Sequence, residues 1–119
     1  MPQYTITVER GKTSGKLEYK GSITLSTTCW WDLVNKIPAN TYTGCSATKM
    51  TTKKDSEGRP REAIYFPNVP GHTGIFIHKG TSSTWSKGCI VIAECDCKKI
   101  YEDIKPKDAQ NVTVLINDS

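Results

Sequence analysis

His78 and Cys89 are the two residues of this 119-residue sequence whose types and spacing could carry out covalent chemistry together. The thiolate, not the thiol, attacks a carbonyl. An imidazole beside it can take the thiol proton and later return it to a leaving amine. Between them runs Lys79-Gly80-Thr81-Ser82-Ser83-Thr84-Trp85-Ser86-Lys87-Gly88, a polar stretch with a glycine near each end. Gly88, directly before the thiol, lets the backbone turn tightly, so that main-chain N–H groups can face a developing oxyanion. A cysteine inside Gly88-Cys89-Ile90-Val91-Ile92 can also simply fill a core, and the residue types alone leave both readings open.

The elements around this pair can position it. Gly74-Ile75-Phe76-Ile77-His78 ends at the imidazole, Cys89-Ile90-Val91-Ile92 begins at the thiol, and Ala63-Ile64-Tyr65-Phe66 precedes both. Such short continuous apolar runs are expected for strands buried on both faces. Earlier in the chain Tyr4, Ile6 and Val8 alternate with polar neighbours, as do Leu17 and Tyr19, then Ile23 and Leu25. The second alternation predicts a hairpin around Lys20-Gly21-Ser22, with Gly21 supplying a positive φ. A further strand is expected within Thr41–Thr51, and Thr52 to Glu62, which has no apolar member, is expected to be a solvated loop. Cys97, Ile100, Tyr101 and Ile104 fall on one face of a short helix that Pro106 stops, and Val112–Ile116 forms a last strand. The predicted class is mainly β, a single domain over residues 1–119.

Composition narrows the function classes. The net charge is +4, with nine Lys/Arg against five Asp/Glu in residues 1–60 and seven of each in 61–119. That excess, without an Arg cluster or interleaved aromatics, argues against nucleic acid as a partner. No apolar run nears the roughly 20 residues of a membrane span, and Met1-Pro2-Gln3-Tyr4-Thr5 lacks the pattern of a signal peptide. Synthesis in the cytoplasm is therefore expected, with the five cysteines as thiols. Cys95-Asp96-Cys97 has no second ligand pair, so neither a metal nor another cofactor is expected. Cys97 faces the core by its helical position, and Cys29 and Cys45 read as buried thiols.

His78, then seven residues, then Ser86-Lys87-Gly88-Cys89-Ile90 resembles the active-site signature of the L,D-transpeptidase (YkuD-like) catalytic domain: a histidine, a variable loop, then Ser/Thr-x-Gly-Cys-Ile/Val. Ile37-Pro38-Ala39-Asn40-Thr41-Tyr42 is similar to that family's Pro-x-Gly-x-Tyr turn. With Asn68–Ile75 and Ile77-His78 it also resembles small bacterial and phage members of the superfamily. The resemblance implies a small β-barrel or sandwich with one short helix before the last strand. It implies Cys89 as nucleophile, His78 as general base and later acid, Gly88 with Cys89 as oxyanion donors, and Ser86 as a brace of the loop.

The implied function is acyl transfer or hydrolysis on peptidoglycan stem peptides through a Cys89 thioester. From the residues themselves, Trp85 reads either as stacking on a sugar ring or as capping the core, and His72, in the turn before the His78 strand, either as lining the cleft or as simply exposed; Lys87 is the further candidate for substrate binding. Two departures bear on substrate binding: the arginine usual just after Cys-Ile is Val91 here, and the loop before Ser86 is short. They favour the alternative of a catalytically silent phage or bacterial structural or peptidoglycan-binding module. Either role implies action at the cell envelope after delivery, by a phage or secretion-system partner.

Overall fold

A computed structural model describes residues 4–31, 37–54, 57–67, 69, 71, 74–80 and 89–118, with the backbone alone for 51–54. Eight strands are described: β1 Tyr4–Arg10, β2 Gly15–Lys20, β3 Thr24–Trp31, β4 Thr41–Lys54, β5 Pro60–Phe66, β6 Ile75–Lys79, β7 Ile90–Ile92 and β8 Val112–Asp118. One helix, α1 Glu94–Asp103, lies between the last two. The strands close into a barrel in the order β1-β2-β3-β7-β6-β5-β4-β8, mainly β as the residue pattern predicts. Pairing is antiparallel except at β1 with β8 and at β6 with β7.

Alternation builds the interior. In β1 the buried Tyr4, Ile6 and Val8 alternate with Thr5, Thr7 and Glu9, and Val112, Val114 and Ile116 do the same in β8. The parallel register sets Ile6 beside Val114 and Val8 beside Ile116, so two apolar rows meet where the barrel closes. Arg10 continues the β1 row and is also buried. Its Nε donates to the Asp118 carboxylate at 2.6 Å, its Nη1 donates to the Ile37 carbonyl at 2.7 Å, and its guanidinium lies over the Trp31 ring. A buried guanidinium needs such partners to offset its lost hydration.

Helix α1 packs against β3, β5 and β6 and adds Cys97 and Ile100 to the core, as its 3.6-residue period predicts. It is tied to β3 by the Thr27 hydroxyl, which donates to Asp96 at 2.7 Å. A second tie is the Lys98 ammonium, 3.5 Å from the buried Glu62 carboxylate of β5.

Three local expectations are corrected. Thr52 to Glu62 is not a loop throughout: β4 runs to Lys54 and β5 starts at Pro60, with Gly58 at φ +79° in the turn. Its polar residues belong to strand ends and to the turn: Glu62 of β5 finds Lys98, and within the turn Arg59 finds Glu57 at 2.5 Å. Ile23 does not continue the buried alternation. It sits in the β2–β3 turn, exposed, and β3 begins at Thr24 opposite Lys20.

Gly21 is required for space rather than for a positive φ. A Cβ there would collide with the Tyr19 hydroxyl, the Asp103 carboxylate and the Tyr4 ring. The Tyr19 hydroxyl donates to Asp103 at 2.5 Å and the Ser22 N–H to the same oxygen at 2.9 Å, so these groups have little room to yield. Gly21→Ala is expected to cost about 1–3 kcal/mol, the usual range for overpacking a filled site. Denaturant unfolding measures it, and an unchanged midpoint would show that the turn moves freely.

Candidate active site

The β6–β7 ladder places the thiol and the imidazole. Ile77 pairs with Ile90 and His78 with Val91 in parallel register, so one step back sets Cys89 beside Phe76. Ile75, Ile77, Ile90 and Ile92 belong to the core cluster. Alternation puts Phe76, His78, Cys89 and Val91 on the opposite face of the sheet. Cys89 and His78 are therefore diagonal neighbours on one face. Both are buried, Cys89 to 8% exposure and His78 to 5%.

The imidazole is oriented by the backbone beyond it. Its Nδ1 lies 2.8 Å from the Lys79 carbonyl oxygen. A carbonyl can only accept, so Nδ1 carries the proton, and in the neutral ring Nε2 holds the lone pair. That carbonyl is itself held in place: the Gly80 N–H donates to Ile92 at 2.8 Å, and the Lys79 ammonium lies 3.3 Å from Glu94 at the start of α1. The strand, the turn and the helix thus share in fixing the tautomer required of a general base.

The thiol of Cys89 donates to the Gly74 carbonyl at 3.7 Å, where Gly74 adopts φ +65°. Burial pushes the Cys89 thiol above its ordinary value, and a hydrogen bond from the Phe76 amide acts the other way. Burial thus favours the protonated form of the Cys89 thiol.

Of the residues singled out from the sequence, Cys89 and His78 are brought to one face. Gly88, Ser86, Trp85, Lys87 and His72 lie outside the described residues. The Lys79 and Gly74 carbonyls and the Phe76 amide were not foreseen, because main-chain groups carry no side-chain signature. Only the glycine at 74 hints at unusual backbone there.

The remaining thiols divide by burial. Cys29, Cys45 and Cys97 are buried and pushed up to about 12 by desolvation, whereas Cys95 is exposed. Cys97 sits under β5, its thiol donating to the Glu62 carbonyl at 3.4 Å, so it and Cys95 do not form a surface pair. Among the described residues no group of three or more His, Cys, Asp or Glu could hold a metal ion.

Alkylation near neutral pH should therefore label Cys95 first, Cys89 more slowly, and the other three only on unfolding. Peptide mapping reads this order. Stability should also fall in alkali. The three buried thiols stay protonated when folded but ionise above about 8.5 when unfolded, so the unfolded chain binds fewer protons there. Each contributes a loss of about 1.4 kcal/mol per pH unit between that value and about 12. Cys45→Ala should flatten the slope, and an unaltered slope would place the alkaline loss elsewhere.

No protein-family model matches the sequence, and no curated protein sequence does either. The fold matches the crystal structure of L,D-transpeptidase 1 from Mycobacterium tuberculosis, with a TM-score of 0.50 at 11% sequence identity. The match covers 96% of this chain and 62% of that one, so the chain spans somewhat under two thirds of its structural neighbour. At that identity the likeness is one of fold, and the barrel is L,D-transpeptidase-like.

Proposed function

We propose that this chain is a cysteine acyltransferase or peptidase of the L,D-transpeptidase type, acting on peptidoglycan stem peptides through a thioester on Cys89. The observation that supports the reading is one face of β6 and β7 carrying both side chains, with His78 Nδ1 bound to the Lys79 carbonyl. In the first step Cys89 Sγ attacks a stem-peptide carbonyl while its proton passes to His78 Nε2. The tetrahedral intermediate then collapses, the C–N bond breaks, and His78 returns the proton to the departing amine. An acceptor amine, or water, next attacks the thioester. His78 takes its proton and gives it back to the Cys89 sulfur.

Incubation with purified muropeptides, followed by intact-mass and peptide mapping, tests this reading. An acyl adduct on Cys89 and altered muropeptides are expected, both lost in Cys89→Ala. Full muropeptide turnover by Cys89→Ala would overturn it.

Burial of the Cys89 thiol favours a second reading, a silent wall-binding module that kept the fold. That module would sediment with purified peptidoglycan equally well as Cys89→Ser and would leave the muropeptides unchanged.

A further inference from the structure

Lys79 ends β6 and pairs with Ile92, the last residue of β7. One residue, Ala93, separates Ile92 from Glu94, where α1 begins. The register of the ladder therefore brings a cation from β6 to the start of the helix, and the Lys79 ammonium lies 3.3 Å from the Glu94 carboxylate. Both side chains are mostly covered, with 17% of Lys79 and 26% of Glu94 exposed, so salt screens the pair less than a surface one.

Isolated ion pairs contribute little to stability. This pair adjoins the imidazole: the residue that carries the ammonium also supplies the carbonyl bound to His78 Nδ1 at 2.8 Å. Alternation sends the Lys79 side chain to the face opposite His78, so the ammonium acts on the ring through its field rather than by contact. A neutral ring is little affected by that field. An imidazolium, formed as Nε2 takes the Cys89 proton, is opposed by a nearby cation and favoured by a nearby carboxylate. Among the described residues the other ionisable groups at this level are Arg61 and Glu62 on β5, Asp96, Cys97 and Lys98 on α1, and Cys89 just before β7, whose own residues are uncharged. Glu62 and Lys98 offset one another at 3.5 Å, and Asp96 accepts from the Thr27 hydroxyl.

We propose that Glu94 tunes His78 through Lys79: it offsets the charge of an ammonium that would otherwise oppose the imidazolium formed during acyl transfer. Glu94 is thus a positioning residue, acting on the reaction through Lys79 and His78. The inference rests on His78 being the base of the proposed acyl transfer. A carboxylate in the first turn of α1 also suits the helix dipole, a contribution to folding that leaves the basicity of the ring alone. Charge separates the two roles. Replacing Glu94 and replacing Lys79 must move the titration of His78 in opposite directions, and replacing both must cancel.

NMR titration of the imidazole signals tests this without a substrate. The chain has two histidines, so loss of one set of signals in His78→Ala assigns the ring. Glu94→Gln keeps the side-chain volume and removes the carboxylate beside the Lys79 ammonium. It should lower the His78 midpoint by about half to one pH unit, the size expected of one charge acting across a sheet. Lys79→Met should raise the midpoint by a similar amount. The double variant should return close to the wild-type value, and Glu94→Asp, which keeps the charge, should stay near it.

A second measurement follows acylation of Cys89 by an acetyl thioester against pH, on the Cys95→Ser protein to remove the exposed competitor. Cys89 Sγ forms the new C–S bond as its proton passes to His78, the probe's C–S bond breaks, and the leaving thiolate takes up that proton. The acidic limb of the rate should move with the NMR midpoint in each variant. Single variants that shift the midpoint the same way, or leave it in place, overturn the proposal. Midpoints that move in the expected pattern while Cys89 is acylated in none of the proteins support the charge coupling and overturn the acyl-transfer reading.

Discussion

His78→Ala is expected to slow acylation of Cys89 by about 10²–10⁴-fold, the usual contribution of a positioned general base. The size of the effect follows from the protonation state of the site. Burial pushes the Cys89 thiol up, so removal of the imidazole leaves a nucleophile that is harder to deprotonate. The Nδ1 bond to the Lys79 carbonyl keeps the lone pair on Nε2, the nitrogen able to accept the thiol proton. Two consequences separate a base from a structural residue. Wild-type acylation should be slower in D₂O, because the proton moves as sulfur attacks. Added imidazole should restore part of the rate to His78→Ala and do nothing for Cys89→Ala. A rate indifferent to His78→Ala would remove the imidazole from the chemistry.

How much of this arrangement could be read from sequence varies by element. Strands with a polar face were legible, because alternation is a local signal: Tyr4, Ile6, Val8 in β1 and Val112, Val114, Ile116 in β8 mark their inward faces residue by residue. The helix was legible for the same reason, its buried Cys97 and Ile100 three residues apart. The hairpin between β4 and β5 was not, since it is built from Lys, Arg and Glu side chains and Glu62 takes its partner from elsewhere in the fold. Lys98, which meets Glu62, lies 36 positions along the chain. Arg10 was equally silent. A charged residue at the end of an amphipathic strand reads as solvated until Asp118, Ile37 and Trp31 are brought around it.

At the candidate site, the neighbouring strand ends were legible and the backbone around them was not. Two apolar runs ending and beginning at His78 and Cys89 predict neighbouring strand ends, and the parallel β6–β7 ladder has that form. Sequence could not reveal that the ladder sets Cys89 beside Phe76, because register depends on pairing across the sheet. Hydrogen bonding by the Gly74 and Lys79 carbonyls is likewise a property of backbone path. A motif can nominate two side chains. Closure of the barrel decides what surrounds them.

Closure itself depends on β8, and removal of residues 112–119 is expected to unfold the protein rather than weaken it. This strand supplies Val112, Val114 and Ile116 to the core, each worth about 1.5–3 kcal/mol of burial. Their loss alone is comparable with the roughly 5–15 kcal/mol by which whole domains are stable. Truncation would also strip the pairing edges of both β1 and β4, which β8 joins, and would take Asp118 from the buried guanidinium of Arg10. Neither loss is met by solvent at low cost, since the exposed edges invite association and the cation is embedded beside Trp31. The truncated chain should show collapsed amide dispersion and no cooperative thermal transition. A peptide of residues 111–119 supplied in trans should restore both, because the parallel register of β8 on β1 is specified by matching rows of side chains rather than by a turn. A truncated chain that melts cooperatively at the full-length temperature would show that the other seven strands close without it.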